Sequence, residues 1–269
     1  MEIERKEQPT AEDLLEILKI LRSPEGCPWD REQTAKTLKK YLIEETAELA
    51  DAVEDNDPAG ICEEAGDVLM NLMMQCLVAA EQQQFTFADA VKSEYEKMIR
   101  RHPHVFGDQA VKNSTEVIGL WDKIKAAEPE KASRESVLDS VPRALPALLR
   151  AGKLQKKAAK CGFDWPDADG IIDKIQEELV EVKEALQEGS EAHIDEEIGD
   201  LLFAVVNLAR FRNRCAEELL QQANRKFTSR FKIVEQKVNS SERTWGDFSA
   251  AELDNFWNEA KKLSVTTEL

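Results

Sequence analysis

Apolar residues recur at helical spacing along almost the whole chain. Leu14, Leu15, Ile17, Leu18 and Leu21 share one face of a 3.6-residue repeat. They follow Thr10-Ala11-Glu12-Asp13, whose acid three positions after a threonine is the pattern of a capping box. This predicts a helix over 11–22. The stretch 23–30, with two prolines and a glycine, breaks it. Further helices are predicted at 34–55, at 58–84 with Pro58 in its first turn, and at 87–101 behind Thr86, with a short one at 116–127. The stretch 128–146 holds three prolines among serines and charged residues and reads as a linker between a domain at 1–127 and another at 147–269. The second half predicts helices at 148–161, 169–188, 191–213 and 215–239. After them Ser249-Ala250-Ala251-Glu252 opens a helix that carries Phe256 and Trp257. The β-branched and aromatic runs that strands favour are scarce, with aromatics at 6%, so the expected class is all-α.

The two halves echo each other. Glu44-Glu45-Thr46-Ala47-Glu48 is matched by Glu177-Glu178-Leu179-Val180-Glu181, and Glu63-Glu64-Ala65-Gly66-Asp67 by Glu196-Glu197-Ile198-Gly199-Asp200, every acid at one offset (178 − 45 = 133; 200 − 67 = 133). One such set is weak evidence in a chain this acidic, but two in a single register indicate an internal duplication into two related helical-bundle domains.

Residues three apart lie on one helical face, so Glu178 pairs with Glu181, and Glu197 with Asp200 on the next helix. A short Glu188-Gly189-Ser190 turn makes those helices antiparallel neighbours, able to bring four carboxylates together beside apolar residues such as Leu179 and Leu201. Unpaired charge there is costly, and a cation is the natural remedy. All-oxygen ligation selects hard ions, Mg²⁺ first and Mn²⁺ second. Glu45, Glu48, Glu64 and Asp67 form a second candidate set. Gly66 and Gly199, mid-helix despite their poor propensity, suggest close approach of a helix or a ligand. A di-iron bundle would instead need Glu-x-x-His pairs, which neither Glu48 nor Glu181 supplies. The remaining acids, Glu44, Glu63, Glu177 and Glu196, read as a solvated face.

Charge narrows the partners. Lys and Arg number 36 against 53 Asp and Glu, a net −17, which argues against binding along nucleic-acid backbones. The longest apolar run, Leu201 to Ala209, is interrupted by Asn207 and too short to span a membrane; the first residues lack the pattern of a secretory signal, so the expected location is the cytoplasm. Five widely spaced cysteines without a Cys-x-x-Cys pair read as reduced packing residues.

The duplicated Glu-Glu-x-x-Glu and Glu-Glu-x-Gly-Asp motifs, with Gly26-Cys27-Pro28-Trp29-Asp30 and Arg100-Arg101-His102-Pro103-His104-Val105-Phe106, closely resemble the MazG family of tandem-domain nucleoside triphosphate pyrophosphohydrolases over nearly the whole chain. The resemblance implies hydrolysis of NTP or dNTP to the monophosphate and pyrophosphate, with Mg²⁺ held by the acids and the catalytic role on Glu178, Glu181, Glu197 and Asp200. A triphosphate and four carboxylates bring about −4 each, which calls for two or more ions. It also implies triphosphate or nucleoside contacts from Lys174, Asn207, Lys226, Arg230 and Trp257, and a homodimer. The C-terminal half is the expected catalyst, because Tyr41 and Met74 stand in the first half where Lys174 and Asn207 stand in the second. His193 replaces the lysine usual in related chains. Competing readings are a pyrophosphatase selective for one aberrant or deoxy nucleotide, and a regulatory interaction protein with vestigial metal sites. Trp29 and Trp165 read as packing residues, and His102 and His104 as parts of a turn.

Overall fold

The computed structural model describes residues 5–126, 128, 135–241 and 243–266, and all regular structure among them is helical. In chain order the helices are α1 (Ala11–Arg22), α2 (Pro28–Glu32), α3 (Ala35–Glu54), α4 (Pro58–Glu81), α5 (Phe87–Arg101), α6 (Pro103–Phe106), α7 (Ser114–Ala126), α8 (Ala147–Lys160), α9 (Ala168–Glu188), α10 (Glu191–Phe211), α11 (Ala216–Asn239) and α12 (Ala250–Thr266). No helix among the described residues is long and apolar enough to cross a membrane.

Local chemistry accounts for most of the boundaries. Thr10 and Asp13 form the expected capping box of α1, Thr86 and Asp89 the same for α5, and Glu252 accepts from the Ser249 amide at 2.8 Å before α12. α4 and α10 end two or three residues earlier than periodicity predicts. Gln83 and Asn213 there turn left-handed, at φ 58° and 55°, which ends the helical register. α2 and α6 went unpredicted, since each is a single turn opened by a proline inside a segment read as a break.

The chain divides into two compact units, residues 1–129 and 130–269. In the first, α3 and α4 pack as an antiparallel pair, and α1 closes over a core of Leu18, Leu38, Met73, Met74 and Val78. Arg22, with its side chain 6% exposed, clamps Glu81 at 2.6 and 2.7 Å and donates to the Asp30 carbonyl, holding the 23–33 segment onto the bundle. In the second, α9 and α10 repeat that pairing, and α8 and α11 pack against them. Within the stretch read as a linker, residues 129–134 lie outside those described; residues 137–140 form a 3-10 turn packed on α8. All five cysteines are free thiols.

Candidate functional site

α9 and α10 carry the C-terminal acids to one place. Gly189, left-handed at φ 73°, ends α9 and lets the chain reverse directly into α10. One carboxylate oxygen from each of Glu178, Glu197 and Asp200 then falls within 4.8 Å of the others. Glu178 is buried, at 5% exposure, Glu197 is half-buried and Asp200 is exposed, so the triplet runs from the helix interface out to solvent. Glu181 stands one turn along α9, outside the triplet. Desolvation and then the charge on Glu178 push its carboxyl above the usual range.

The chain's own cations hold this charge. Lys174 Nζ lies 2.6 Å from Glu178 Oε1 and 2.7 Å from Glu177 Oε1, and those hydrogen bonds raise its ammonium well above the ordinary lysine range. His193 bridges Glu188 and Glu197 at 3.1 Å each and so touches the triplet directly; its imidazole is pushed up chiefly by Glu188. Three carboxylates with no sulfur donor among them form a hard, oxygen-rich set that suits Mg²⁺ or Mn²⁺, and Lys174 and His193 engage carboxylates of that set.

Beside the triplet opens a cavity of about 800 Å³. Lys174, Glu178 and Asp200 line one part of it, Phe163, Trp165 and Phe203 give it aromatic walls, and Asn207 and Arg210 add polar groups. Arg210 donates from Nε to Asn207 Oδ1 at 2.8 Å. Because a guanidinium has no acceptor, this contact fixes the orientation of the amide and leaves the Asn207 NH₂ as the group available to a ligand. The Trp165 ring lies where a side chain on Gly170 would sit, at 2.6 Å, yet the residue is 42% exposed and also faces the cavity, and Trp29, read with it as a packing residue, is 53% exposed. Lys226, Arg230 and Trp257 do not line the cavity; Trp257 stacks obliquely on Phe227, with ring centroids 5.2 Å apart.

The N-terminal half assembles a similar triplet, with oxygens of Glu45, Glu48 and Glu64 within 4.8 Å of one another and Asp67 outside it. Burial and then the neighbouring carboxylates push Glu45 and Glu64 up. The surroundings differ. Tyr41, in the place of Lys174, packs edge-on against Trp29, and Met74, in the place of Asn207, is buried in the core. Lys97 pairs with Glu94, and Arg101 with Glu128 at 2.8 Å. His102 follows α5, donates from Nδ1 to the Met98 carbonyl at 2.6 Å and packs edge-on against Trp121, a structural role.

Gly66 and Gly199 face open space: a β-carbon added at either meets nothing within 4 Å. The close helix approach read from the sequence does not occur at either position within the described chain.

A family model described as the MazG nucleotide pyrophosphohydrolase domain matches residues 33–106 and 168–234, one match over each acid set. The chain belongs to this family. It is 41% identical over 255 residues to a nucleoside triphosphate pyrophosphohydrolase of Escherichia coli strain K12, covering 94% of this chain and 97% of that one. It is 42% identical over 250 residues to a nucleoside triphosphate pyrophosphohydrolase/pyrophosphatase MazG of Thermotoga maritima, covering 93% and 95%. A crystal structure of a mazG-related protein from the same organism is 32% identical, covers 43% of this chain and 98% of that one, and aligns with a TM-score of 0.38. The second MazG match begins after Phe163, Asp164 and Trp165, so the aromatic loop of the cavity falls outside it. Sequence reasoning missed that loop's place in the site, along with Phe203 and Arg210. The sole local signal was the paired aromatics at a helix break.

Proposed function

We propose that this MazG-family chain hydrolyses nucleoside triphosphates to nucleoside monophosphate and pyrophosphate, with divalent metal bound in the C-terminal half. The observation that carries the reading is the junction of an acid triplet with an aromatic cavity large enough for a nucleoside. Glu178, Glu197 and Asp200 would hold Mg²⁺, which supplies neutralisation of the triphosphate and of the leaving pyrophosphate and acidifies bound water. Lys174, once freed from Glu178, is the nearest cation for a phosphate oxygen. Glu181, outside the triplet and with its carboxyl raised, suits the role of proton acceptor from the attacking water. Phe163, Trp165 and Phe203 offer stacking and apolar walls to the base and sugar, and the Asn207 NH₂ offers a donor to a carbonyl or hydroxyl oxygen.

Two copies of the chain are proposed to pair. Leu179, Leu202 and Phe227 are 44%, 54% and 57% exposed, an unusual cost for a lone bundle. Lys226, Arg230 and Trp257 belong to the site only if such pairing or substrate brings them to the cavity. The N-terminal half, with its lysine and asparagine positions occupied by Tyr41 and Met74, is proposed as a weaker or regulatory metal site. The cytoplasm is the proposed location, and nucleic acid is not a proposed partner of so acidic a chain.

Product analysis with the four NTPs and four dNTPs in Mg²⁺ tests the reading. Monophosphate and pyrophosphate are expected from wild type and from Glu64→Ala/Asp67→Ala, and neither from Glu197→Ala/Asp200→Ala. Release of orthophosphate would overturn the chemistry, and inactivity with every nucleotide would favour a regulatory protein.

A further inference from the structure

α8 lines two cavities with different faces. Leu154, Gln155 and Ala158 face the cavity described above; Leu149, Gly152, Lys153, Lys156 and Lys160 face another, of about 630 Å³, closed by Val206, Arg214 and the start of α11. Arg210 lines both. Five cationic side chains thus surround one cavity of a chain whose net charge is −17.

Two ordinary reasons for surface lysines do not cover this cluster. Cations in the last turn of a helix complement its dipole, which explains Lys157 and Lys160, but Lys153 and Lys156 lie earlier in α8. Ion pairing explains many others, but no carboxylate among the described residues pairs with Lys153, Lys156 or Arg214. The nearest acid of α11, Glu217, is turned onto the Leu149 amide at 3.4 Å. Lys153 and Lys156, three apart, are like charges on one helical face. The floor is apolar, built from Leu148, Leu149, Ala159 and Val206.

We propose that this cavity is a second, metal-independent binding site for a nucleotide-sized organic phosphate carrying two or more phosphate charges. Lys153, Lys156 and Arg214 receive the phosphates, and Leu148, Leu149 and Val206 receive the organic part. The assignment does not depend on the reaction proposed for the acid site. Removing metal separates the two: the carboxylate triplet repels an anion without a cation to bridge it, whereas the lysines need none.

The test is calorimetric titration of ADP and of inorganic pyrophosphate into the full chain in EDTA. One ADP per chain is expected, bound more tightly than pyrophosphate and more weakly as salt rises. Lys153→Glu/Lys156→Glu should weaken ADP at least tenfold, Lys153→Arg/Lys156→Arg should retain it, and Glu197→Gln, at the acid site, should leave it unchanged. Matching circular dichroism melts show that the variants fold. Absence of ADP binding to wild type in EDTA, or its persistence in the charge-reversed variant, overturns the site. Sensitivity to Glu197→Gln would move the binding to the acid triplet, and pyrophosphate binding as tightly as ADP would overturn the role of the apolar floor.

Discussion

Arg210 grips Asp164 through both terminal nitrogens, at 2.9 and 2.5 Å, while its Nε holds Asn207 at 2.8 Å. Asp164 lies between Phe163 and Trp165, so one guanidinium fixes the aromatic loop and the amide that share the cavity. The Arg210 side chain is 14% exposed while Asp164 is an exposed residue, and the Arg210 hydrogen bond is the main cause that holds the Asp164 carboxyl below its usual range. Arg210→Ala is expected to raise KM for NTPs about tenfold, ~1.4 kcal/mol of binding, with a smaller change in kcat. Steady-state kinetics decide this, and a fall in kcat at constant KM would place Arg210 in the chemistry.

Lys174 occupies the Glu178 carboxylate that the proposed metal would need and also lines the cavity. Lys174→Met should therefore have two opposite effects. Mg²⁺ binds roughly tenfold more tightly, because no ammonium must be displaced, and NTP turnover falls, because a phosphate contact is gone. Metal titration and turnover measured on the same variant check both; weaker metal binding would refute the competition.

Metal should stabilise each half through its own triplet. Ligand at a hundred times its Kd adds about 2.7 kcal/mol to the folded state, so Mg²⁺ raises Tm in wild type. Glu197→Gln/Asp200→Asn is expected to lose the part of that rise from the C-terminal unit, and Glu45→Gln/Glu64→Gln the part from the N-terminal unit. Thermal scans with Mg²⁺ and with EDTA read this out, and an unchanged Mg²⁺ response in either variant would remove that triplet as a metal site.

Glu252 accepts from Arg243 Nη1 and from the Ser249 amide and hydroxyl, each at 2.8 Å, and Arg243 above all holds its carboxyl down to about 2 from an ordinary 4.5. A depressed native pKa means the unfolded chain takes up the proton first as pH falls. The stabilisation of the start of α12 is therefore complete above about 4.5 and is lost between there and about 2. Glu252→Gln should melt below wild type by a constant margin at neutral pH, and the margin should close across that acidic window. High salt should shrink it as well, because the group is exposed. A margin that widens toward low pH would reverse the sign of this linkage.

Sequence alone determined the ten longer helices to within a few residues, the caps at Thr10, Thr86 and Ser249, and the duplication, because helical periodicity and capping are local and the offset of 133 recurs at every acid (197 − 64 = 133), while the single turns α2 and α6 escaped it. It also put Glu178 with Glu181 and Glu197 with Asp200, since a three-residue step stays on one face. Tertiary structure decided which of those acids meet. The rotation of α9 against α10 turns Glu178 inward to join Glu197 and Asp200 and leaves Glu181 one turn away, an angle that no spacing within a single helix encodes. It also made a cavity wall of Phe163, Trp165 and Phe203, which come from a loop and a helix 38 residues apart (203 − 165 = 38), and it left Gly66 and Gly199 facing open space. Contacts between elements depend on how whole side-chain surfaces interlock, and that information is distributed across the fold and absent from any one segment.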